Sequence, residues 1–390
     1  MSRHNFKTIG IFSAQYPPHV GGVEAFTQNI AHTLASLGHR VVVITNDTEN
    51  LGAGSFVEGD IEIVRLPCMP LISGRLPIPK FNPIRKELLN QLVQYRFDGI
   101  LVNTRFYPHS LLGMSVARRY DLRPLVLDHG SAWLSFSNPI LDFFVRLYER
   151  AITAYGMFRY HPAYFGISKK SSEWLFNFRI NSSGEIHNSI DSSSFRALSS
   201  GRDFRSEFNI PNNSFVVGFI GRFIPEKGID ALIEASKNPD LVNRGVVFLL
   251  AGTGPLVDKV KSSQSNSMIW VGRLRRDDVA SLLLQCDALC LPSRSEGFST
   301  TLLEASSCAC PSIVTNVGGA SELIPDNSYG QIIASPTASC ISKAIINLVD
   351  NPVLRNLQSQ NCLKHVDASC SWNSSAKELL DAFERVAVDC

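Results

Sequence analysis

The sequence predicts an α/β protein made of two doubly wound halves, each a parallel sheet with helices on both faces. Three observations carry this. Short aliphatic and β-branched runs recur along the chain, stretches with helical apolar spacing separate them, and Gly-rich turns follow several of the runs. At 390 residues the chain is long enough for two to three domains at roughly 150 residues each.

The first forty-five residues set the pattern. Lys7–Ser13 reads as a buried strand, and Gln15-Tyr-Pro-Pro-His-Val-Gly-Gly22 as a turn-rich loop. Val23–Leu37 places Phe26, Ile30, Leu34 and Leu37 at helical spacing, Gly38 stops it, and Val41–Thr45 is a second buried strand. Strand, helix, strand at this length is a right-handed crossover in a parallel sheet. Similar runs follow at Ile61–Leu66, Gly99–Asn103 and Leu125–Asp128. A second series runs through Phe215–Ile220, Val246–Ala251, Met268–Val271, Ala288–Leu291 and Ser312–Thr315, with helices near 229–237, 256–263, 277–286 and 299–309. A poorly periodic Ser/Asn-rich region from about 180 to 213 separates the two series, and no sequence repeat relates them. The expected domains are 1–185 and 186–371, with a last helix at about 372–388. Such domains bind ligands at the carboxyl ends of their strands.

Composition narrows the function. With 44% hydrophobic and 18% charged residues, the chain is neither disordered nor fibrous. A net charge of +2 argues against a dedicated nucleic-acid binder. No apolar run approaches the ~18 residues of a spanning helix, and the first ten residues hold no signal-peptide core, so a cytoplasmic protein is expected. The nine cysteines, Cys286, Cys290, Cys308 and Cys310 among them, read as buried free thiols, not a disulfide framework or a zinc site. Residues 1–185 hold 19 basic against 14 acidic residues, a net of +5. In that half Arg75, Lys80, Arg85 and Lys86 alternate with Pro77, Ile78, Pro79 and Phe81. Such a segment is either a solvated surface loop or a contact for an anionic membrane or lipid diphosphate.

Two segments carry the candidate chemistry. Ser293-Arg-Ser-Glu-Gly-Phe-Ser-Thr-Thr-Leu-Leu-Glu-Ala305 follows a strand and opens a helix that Ser299 or Thr300 caps. The amides of Phe298–Thr301 then suit a phosphate, Glu304 one turn on suits hydroxyl donors such as a ribose diol, and Glu296 projects toward what lies beyond the phosphates. Both acids are equally explained as dipole-complementing residues at a helix start. Gly221-Arg-Phe-Ile-Pro-Glu-Lys-Gly228 sets Arg222 and Lys227 at another strand end, where a forked and a point cation fit a diphosphate; pairing with Glu226 or Asp230 is the plainer reading. Gly21-Gly22 lets backbone approach a ligand or makes a plain turn. His129 stands just past a strand end, as a ligand contact or a structural hydrogen-bonder. Gly252-Thr-Gly254 lacks the third glycine of a dinucleotide fingerprint, and the chain has no Asp-x-Asp triplet for a metal.

Taken in order, these segments resemble the large glycosyltransferase family 4, whose members are retaining enzymes of the GT-B fold. Tyr16-Pro-Pro-His-Val-Gly-Gly-Val-Glu24 and Leu37-Gly-His-Arg-Val41 resemble its opening loop and second strand. Gly221–Gly228 resembles its phosphate-binding turn, Ala251-Gly-Thr-Gly-Pro255 the next strand end, Glu296 and Glu304 its Glu-x7-Glu motif, and Gly318-Gly-Ala-Ser-Glu-Leu-Ile324 its Gly-Gly loop. The chain departs from the family at Asn188-Ser-Ile-Asp191, where Asn-Gly-Val/Ile-Asp is common.

The resemblance implies two Rossmann-like domains facing across a cleft, the donor on the C-terminal one and the acceptor on the N-terminal one. It implies that Arg222 and Lys227 hold the donor diphosphate, with the Phe298, Ser299 and Thr300 backbone beside them, and that Glu304 holds the ribose. Glu296 and His129 then lie at the transferred sugar as catalytic residues, and Gly22 meets the donor phosphate. No metal or other cofactor is implied. The expected reaction moves a hexose or N-acetylhexosamine from a nucleotide-sugar, leaning to UDP-sugar over GDP-mannose. The acceptor is a saccharide or a polyprenyl-diphosphate-linked one in cell-surface polysaccharide, O-antigen or lipopolysaccharide synthesis, with residues 75–86 as a contact to the inner membrane face. The competing classes are a nucleotide-sugar epimerase, a nicotinamide dehydrogenase and a non-catalytic partner subunit; the intact Arg222, Lys227, Glu296 and Glu304 favour transfer.

Overall fold

The computed structural model describes residues 7–71, 74, 76–134 and 138–388, and the chain divides into two compact units. One runs to Asn188 and takes back the segment from Trp372; the other is Ser189–Ser371.

In the first unit the strands are β1 (Thr8–Phe12), β2 (Arg40–Asn46), β3 (Gly54–Glu58), β4 (Ile61–Leu66), β5 (Cys68–Leu71), β6 (Leu76–Pro79), β7 (Gly99–Asn103), β8 (Leu125–Asp128) and β9 (Ala163–Gly166). Seven form one sheet in the order β3-β4-β2-β1-β7-β8-β9, parallel except for β3, while β5 and β6 make a separate antiparallel pair. Every residue of β1, β7, β8 and β9 is buried, as a sheet covered on both faces requires. Phe12, Val42, Ile44, Val64, Val102, Met114 and Val126 form one apolar cluster, and burial of each such side chain contributes about 1.5–3 kcal/mol.

Four helices of this unit matter below: α1 (Gly22–Ser36), α2 (Pro83–Gln91), α3 (Pro108–Arg119) and α4 (Pro139–Tyr160). The last helix, Trp372–Val388, lies on α1 and the sheet. Trp372 meets Phe26 with ring centroids 5.8 Å apart, and Phe383 sits where a side chain on Gly99 would have to go.

The second unit has β10 (Phe215–Ile220), β11 (Val246–Ala251), β12 (Met268–Gly272), β13 (Ala288–Leu291), β14 (Ser312–Thr315) and β15 (Gln331–Ile333), all parallel, in the order β12-β11-β10-β13-β14-β15. Strand order reverses at β1/β7 in the first sheet and at β10/β13 in the second, and the loops leaving those strands flank each unit's crevice.

The poorly periodic region around 180–213 carries local structure: Asp191 and Asp203 cap the short helices Ser192–Ala197 and Phe204–Glu207, and Phe195 and Phe204 are fully buried. One sequence expectation needs correction. The basic segment at 75–86 is not one loop but β6 followed by the start of α2. Lys80 and Lys86 are exposed, yet Arg85 is buried, its guanidinium pushed below its ordinary value by desolvation, so it leaves the basic surface; Arg75 lies outside the described residues. The eight described cysteines are free thiols, six of them buried.

Candidate active site

The loops at the β10/β13 crevice are tied together before any ligand arrives. After β10 the chain turns through Arg222 and a short helical turn, Pro225–Lys227, and Gly228 continues it with φ 71°. After β13 the loop Pro292–Ser299 leads into the helix Thr300–Ser307, and the Arg294 amide donates to the Glu226 carbonyl at 2.7 Å. On this frame Lys227 Nζ donates to Glu296 Oε1 at 2.5 Å, and Ser293 Oγ donates to the same oxygen at 2.7 Å. Thr315, at the end of β14, donates its hydroxyl to the Ser293 carbonyl, so three strand ends fix one carboxylate.

Lys227 and Glu296 are both largely buried, at 24% and 16% side-chain exposure. The pair rests on elements that the sheet holds in place, and Lys227 keeps two further N–H donors for an anion. Its partner is therefore not Glu226 or Asp230: Asp230 pairs with Lys259 at 2.9 Å. Arg222 is exposed at the head of the same turn.

Ser299 is the helix cap, as the sequence predicts, its Oγ accepting from the Leu302 amide at 3.3 Å. Thr300 is exposed at the first helical position. The Phe298 ring is turned inward against Gly319, where a Cβ would stand 2.5 Å from it, so its side chain packs the loop. Glu304 lies one turn into the helix, and burial pushes its carboxyl up to about 7, with Arg276 opposing the shift.

Gly252 and Gly254 belong to the same frame. The Phe223 amide donates to the Thr253 carbonyl and the Gly221 amide to the Ala251 carbonyl, which presses the two turns together. A Cβ on Gly252 would run into the Gly221 carbonyl oxygen, and Gly252 holds φ 148°. Gly252→Ala is accordingly expected to lower stability by about 3 kcal/mol, read from urea unfolding; a loss below ~0.5 kcal/mol would show that the turns separate freely.

Gly22 and His129 are in the other unit. Gly22 is the first residue of α1, and a Cβ there would meet nothing within 4 Å, so its backbone is open. His129 follows β8 and is held by a chain of hydrogen bonds. Thr27 donates to the Val23 carbonyl at 2.7 Å, Asn103 Nδ2 donates to Thr27 at 2.8 Å, and the Asn103 carbonyl oxygen faces His129 Nε2 at 2.9 Å. With the Asn103 amide so oriented, Nε2 carries the proton and Nδ1 the lone pair. Burial pushes the imidazole down to about 3, so the ring is neutral at physiological pH.

Beneath it Arg105, 1% exposed, pairs with Asp128 at 2.7 Å and Glu149 at 2.8 Å, two buried carboxylates that desolvation pushes upward. Sequence reasoning gave no role to this triad or to Asn103, although Ser293 opens a segment it singled out. Asn103 and Asp128 end strands, Arg105 follows β7 and Glu149 lies within α4, so nothing local links them. Among the described residues no three His, Cys, Asp or Glu side chains gather as a metal-binding group.

Comparison with known proteins agrees with this architecture. Residues 20–193 match the family model Glycosyltransferase Family 4, and residues 201–365 match Glycosyl transferases group 1. An uncharacterized glycosyltransferase of Methanocaldococcus jannaschii is 21% identical over 96% of this chain and 98% of its own. A subunit of the phosphatidylinositol N-acetylglucosaminyltransferase of Arabidopsis thaliana is 23% identical over 96% and 80%. Among solved structures, Anabaena HepE in complex with UDP and glucose superposes with a TM-score of 0.70 at 18% identity, over 97% of this chain and 100% of that one. With the two models matching in tandem on two doubly wound units, this chain belongs to glycosyltransferase family 4 and has the GT-B fold.

Proposed function

We propose that this protein is a retaining, metal-independent hexosyltransferase or N-acetylhexosaminyltransferase. It takes a UDP-sugar and glycosylates a saccharide or a lipid-linked acceptor at the cytoplasmic face of a membrane, in the synthesis of a cell-surface glycan. The observation that carries this reading is the Lys227–Glu296 pair at the β10/β13 crevice, beside Arg222 and the capped helix that bears Glu304. The naming of the Arabidopsis relative for a phosphatidylinositol acceptor and the UDP and glucose held by Anabaena HepE support the choice of acceptor and donor class.

In this reading the acceptor hydroxyl bonds to the anomeric carbon while the bond from that carbon to the phosphate oxygen breaks. The nucleoside diphosphate leaves with the electron pair, and its oxygen takes the acceptor proton. Negative charge grows on the diphosphate as the bond breaks. Arg222, Lys227 and the amides beside Ser299 stabilise it most at that moment, which lowers the barrier. Glu304 accepts from the ribose hydroxyls. Glu296 orients Lys227 and faces the sugar, and His129 Nδ1 accepts from a sugar hydroxyl while Gly22 opens the backbone to the phosphate.

The test is a thermal-shift panel of UDP, GDP, ADP and NAD with and without EDTA, followed by NMR of the product's anomeric configuration. A ligand at 100 times its dissociation constant adds about 2.7 kcal/mol of stability. Stabilisation by UDP, indifferent to EDTA, and a retained anomeric configuration are expected. GDP alone would change the donor, an inverted product would overturn the mechanism, and NAD alone would overturn transfer altogether.

A further inference from the structure

Helix α4 carries its apolar stripe on the solvent side. Its inward face holds Glu149, Thr153 and Gly156, while Ile140, Phe143, Phe144, Leu147, Tyr155 and Phe158 are exposed, Phe158 at 83% and Ile140 at 73%. These six follow the 3.6-residue period, so they form one continuous stripe over about 27 Å at 1.5 Å per residue. Single exposed apolar residues are ordinary, but a stripe of this length marks a contact surface. Arg146 and Arg150 flank it on one side and Arg159 on the other, all exposed. The helix has two acids: Glu149 is buried against Arg105, and Asp142 is half-buried. The outward face is therefore apolar along its centre and positive along both edges.

We propose that the outward face of α4 docks this protein on an anionic lipid bilayer, the helix lying in the interface with its apolar stripe among the acyl chains and its arginines at the headgroups. No helix among the described residues is long and apolar enough to cross a membrane, so α4 lies on the bilayer and does not span it. Charge decides against a second copy of this chain. A twofold pairing of α4 on α4 would set arginine edges together with no exposed carboxylate of the helix to meet them, whereas anionic headgroups neutralise all three. The face surpasses the Lys80–Lys86 segment, from which burial removes Arg85. The proposal does not rest on the donor-site reading.

The experiment uses the full chain in vesicle sedimentation, comparing phosphatidylcholine alone with phosphatidylcholine plus phosphatidylglycerol. Light scattering and the UDP thermal shift are measured on the same samples. Binding to the anionic vesicles is expected, weakened at least about tenfold on neutral vesicles or in 1 M salt, where the Debye length falls to about 3 Å. The double variant Phe144→Glu, Phe158→Glu should lose binding at least tenfold while keeping its melting temperature. Absence of binding to anionic vesicles, or undiminished binding by the variant, overturns the proposal. A wild-type dimer that the variant splits, without lipid binding, overturns it in favour of a second copy. Loss of the UDP response with lipid binding intact would remove the donor reading and leave this one standing.

Discussion

Lys227→Ala is expected to lower kcat/KM for the nucleotide-sugar by about 10²–10³-fold, the loss typical of removing one preorganised group that stabilises charge in the transition state. The structure supplies the reason the loss should fall on the chemical step. Lys227 is held at 2.5 Å by Glu296, itself fixed through Ser293, so the cation does not have to be ordered when charge develops on the departing diphosphate. Removing the ammonium also takes away the cation that faces the Glu296 carboxylate, and the repulsion between that carboxylate and the anion beside it adds to the loss. Steady-state kinetics of Lys227→Ala and of Lys227→Ala, Glu296→Gln separate the two terms, the double variant recovering part of the rate. A single variant within threefold of wild type would mean that the pair is structural and the diphosphate is held elsewhere.

Glu304→Gln is expected to stabilise the protein and weaken nucleotide binding at the same time. Burial raises the Glu304 carboxyl from its ordinary value to about 7 in the folded chain. The folded state therefore holds this proton more tightly than the unfolded one, and stability falls as pH rises from the unfolded value through about 7, where the buried group must ionise. A glutamine escapes that cost. The variant should match the wild-type melting temperature near pH 5 and exceed it at pH 8. Binding runs the other way in the proposed site, because an ionised carboxylate accepts from ribose hydroxyls more strongly than an amide oxygen does. Wild-type affinity for UDP should improve from pH 6 to pH 8, and the variant should bind about tenfold more weakly at pH 8 with no such dependence, as loss of a hydrogen bond to a charged group predicts. Calorimetric titration across this pH range checks this; a variant with wild-type affinity at pH 8 would take Glu304 out of the site.

The contrast between these acids shows what one-dimensional information reaches. Their Glu-x7-Glu spacing and their place between a strand and a helix are visible in the chain, because a buried parallel strand must be apolar and a helix start must be capped. For the same reason Ile61–Leu66, Gly99–Asn103, Leu125–Asp128, Phe215–Ile220, Val246–Ala251, Ala288–Leu291 and Ser312–Thr315 stand in the structure where their composition sets them. That Lys227 belongs to Glu296, 69 residues away, and not to its neighbours Glu226 or Asp230, has no local signal. The pairing exists because β10 and β13 lie side by side in the sheet.

Helix α4 and Arg85 escaped for the opposite reason, since there the usual assignment of inside and outside is reversed. Periodicity assumes that apolar residues point inward. On α4 the fully buried positions are Glu149, Thr153 and Gly156, two of them small and the third neutralised by Arg105, while Ile140, Phe143, Phe144, Leu147, Tyr155 and Phe158 look out. Arg85 sits in a segment whose other described cations are exposed, and only the packing of α2 against the sheet turns it inward. Composition and hydrophobic period thus determined two doubly wound units, their strand order along the chain and the loops that bear Arg222, Lys227, Glu296 and Glu304, because those follow from local burial and capping. The tertiary structure decided which charges pair, which proton His129 and Glu304 hold, and which helix face meets solvent, because each depends on desolvation and on neighbours that the sequence places far apart.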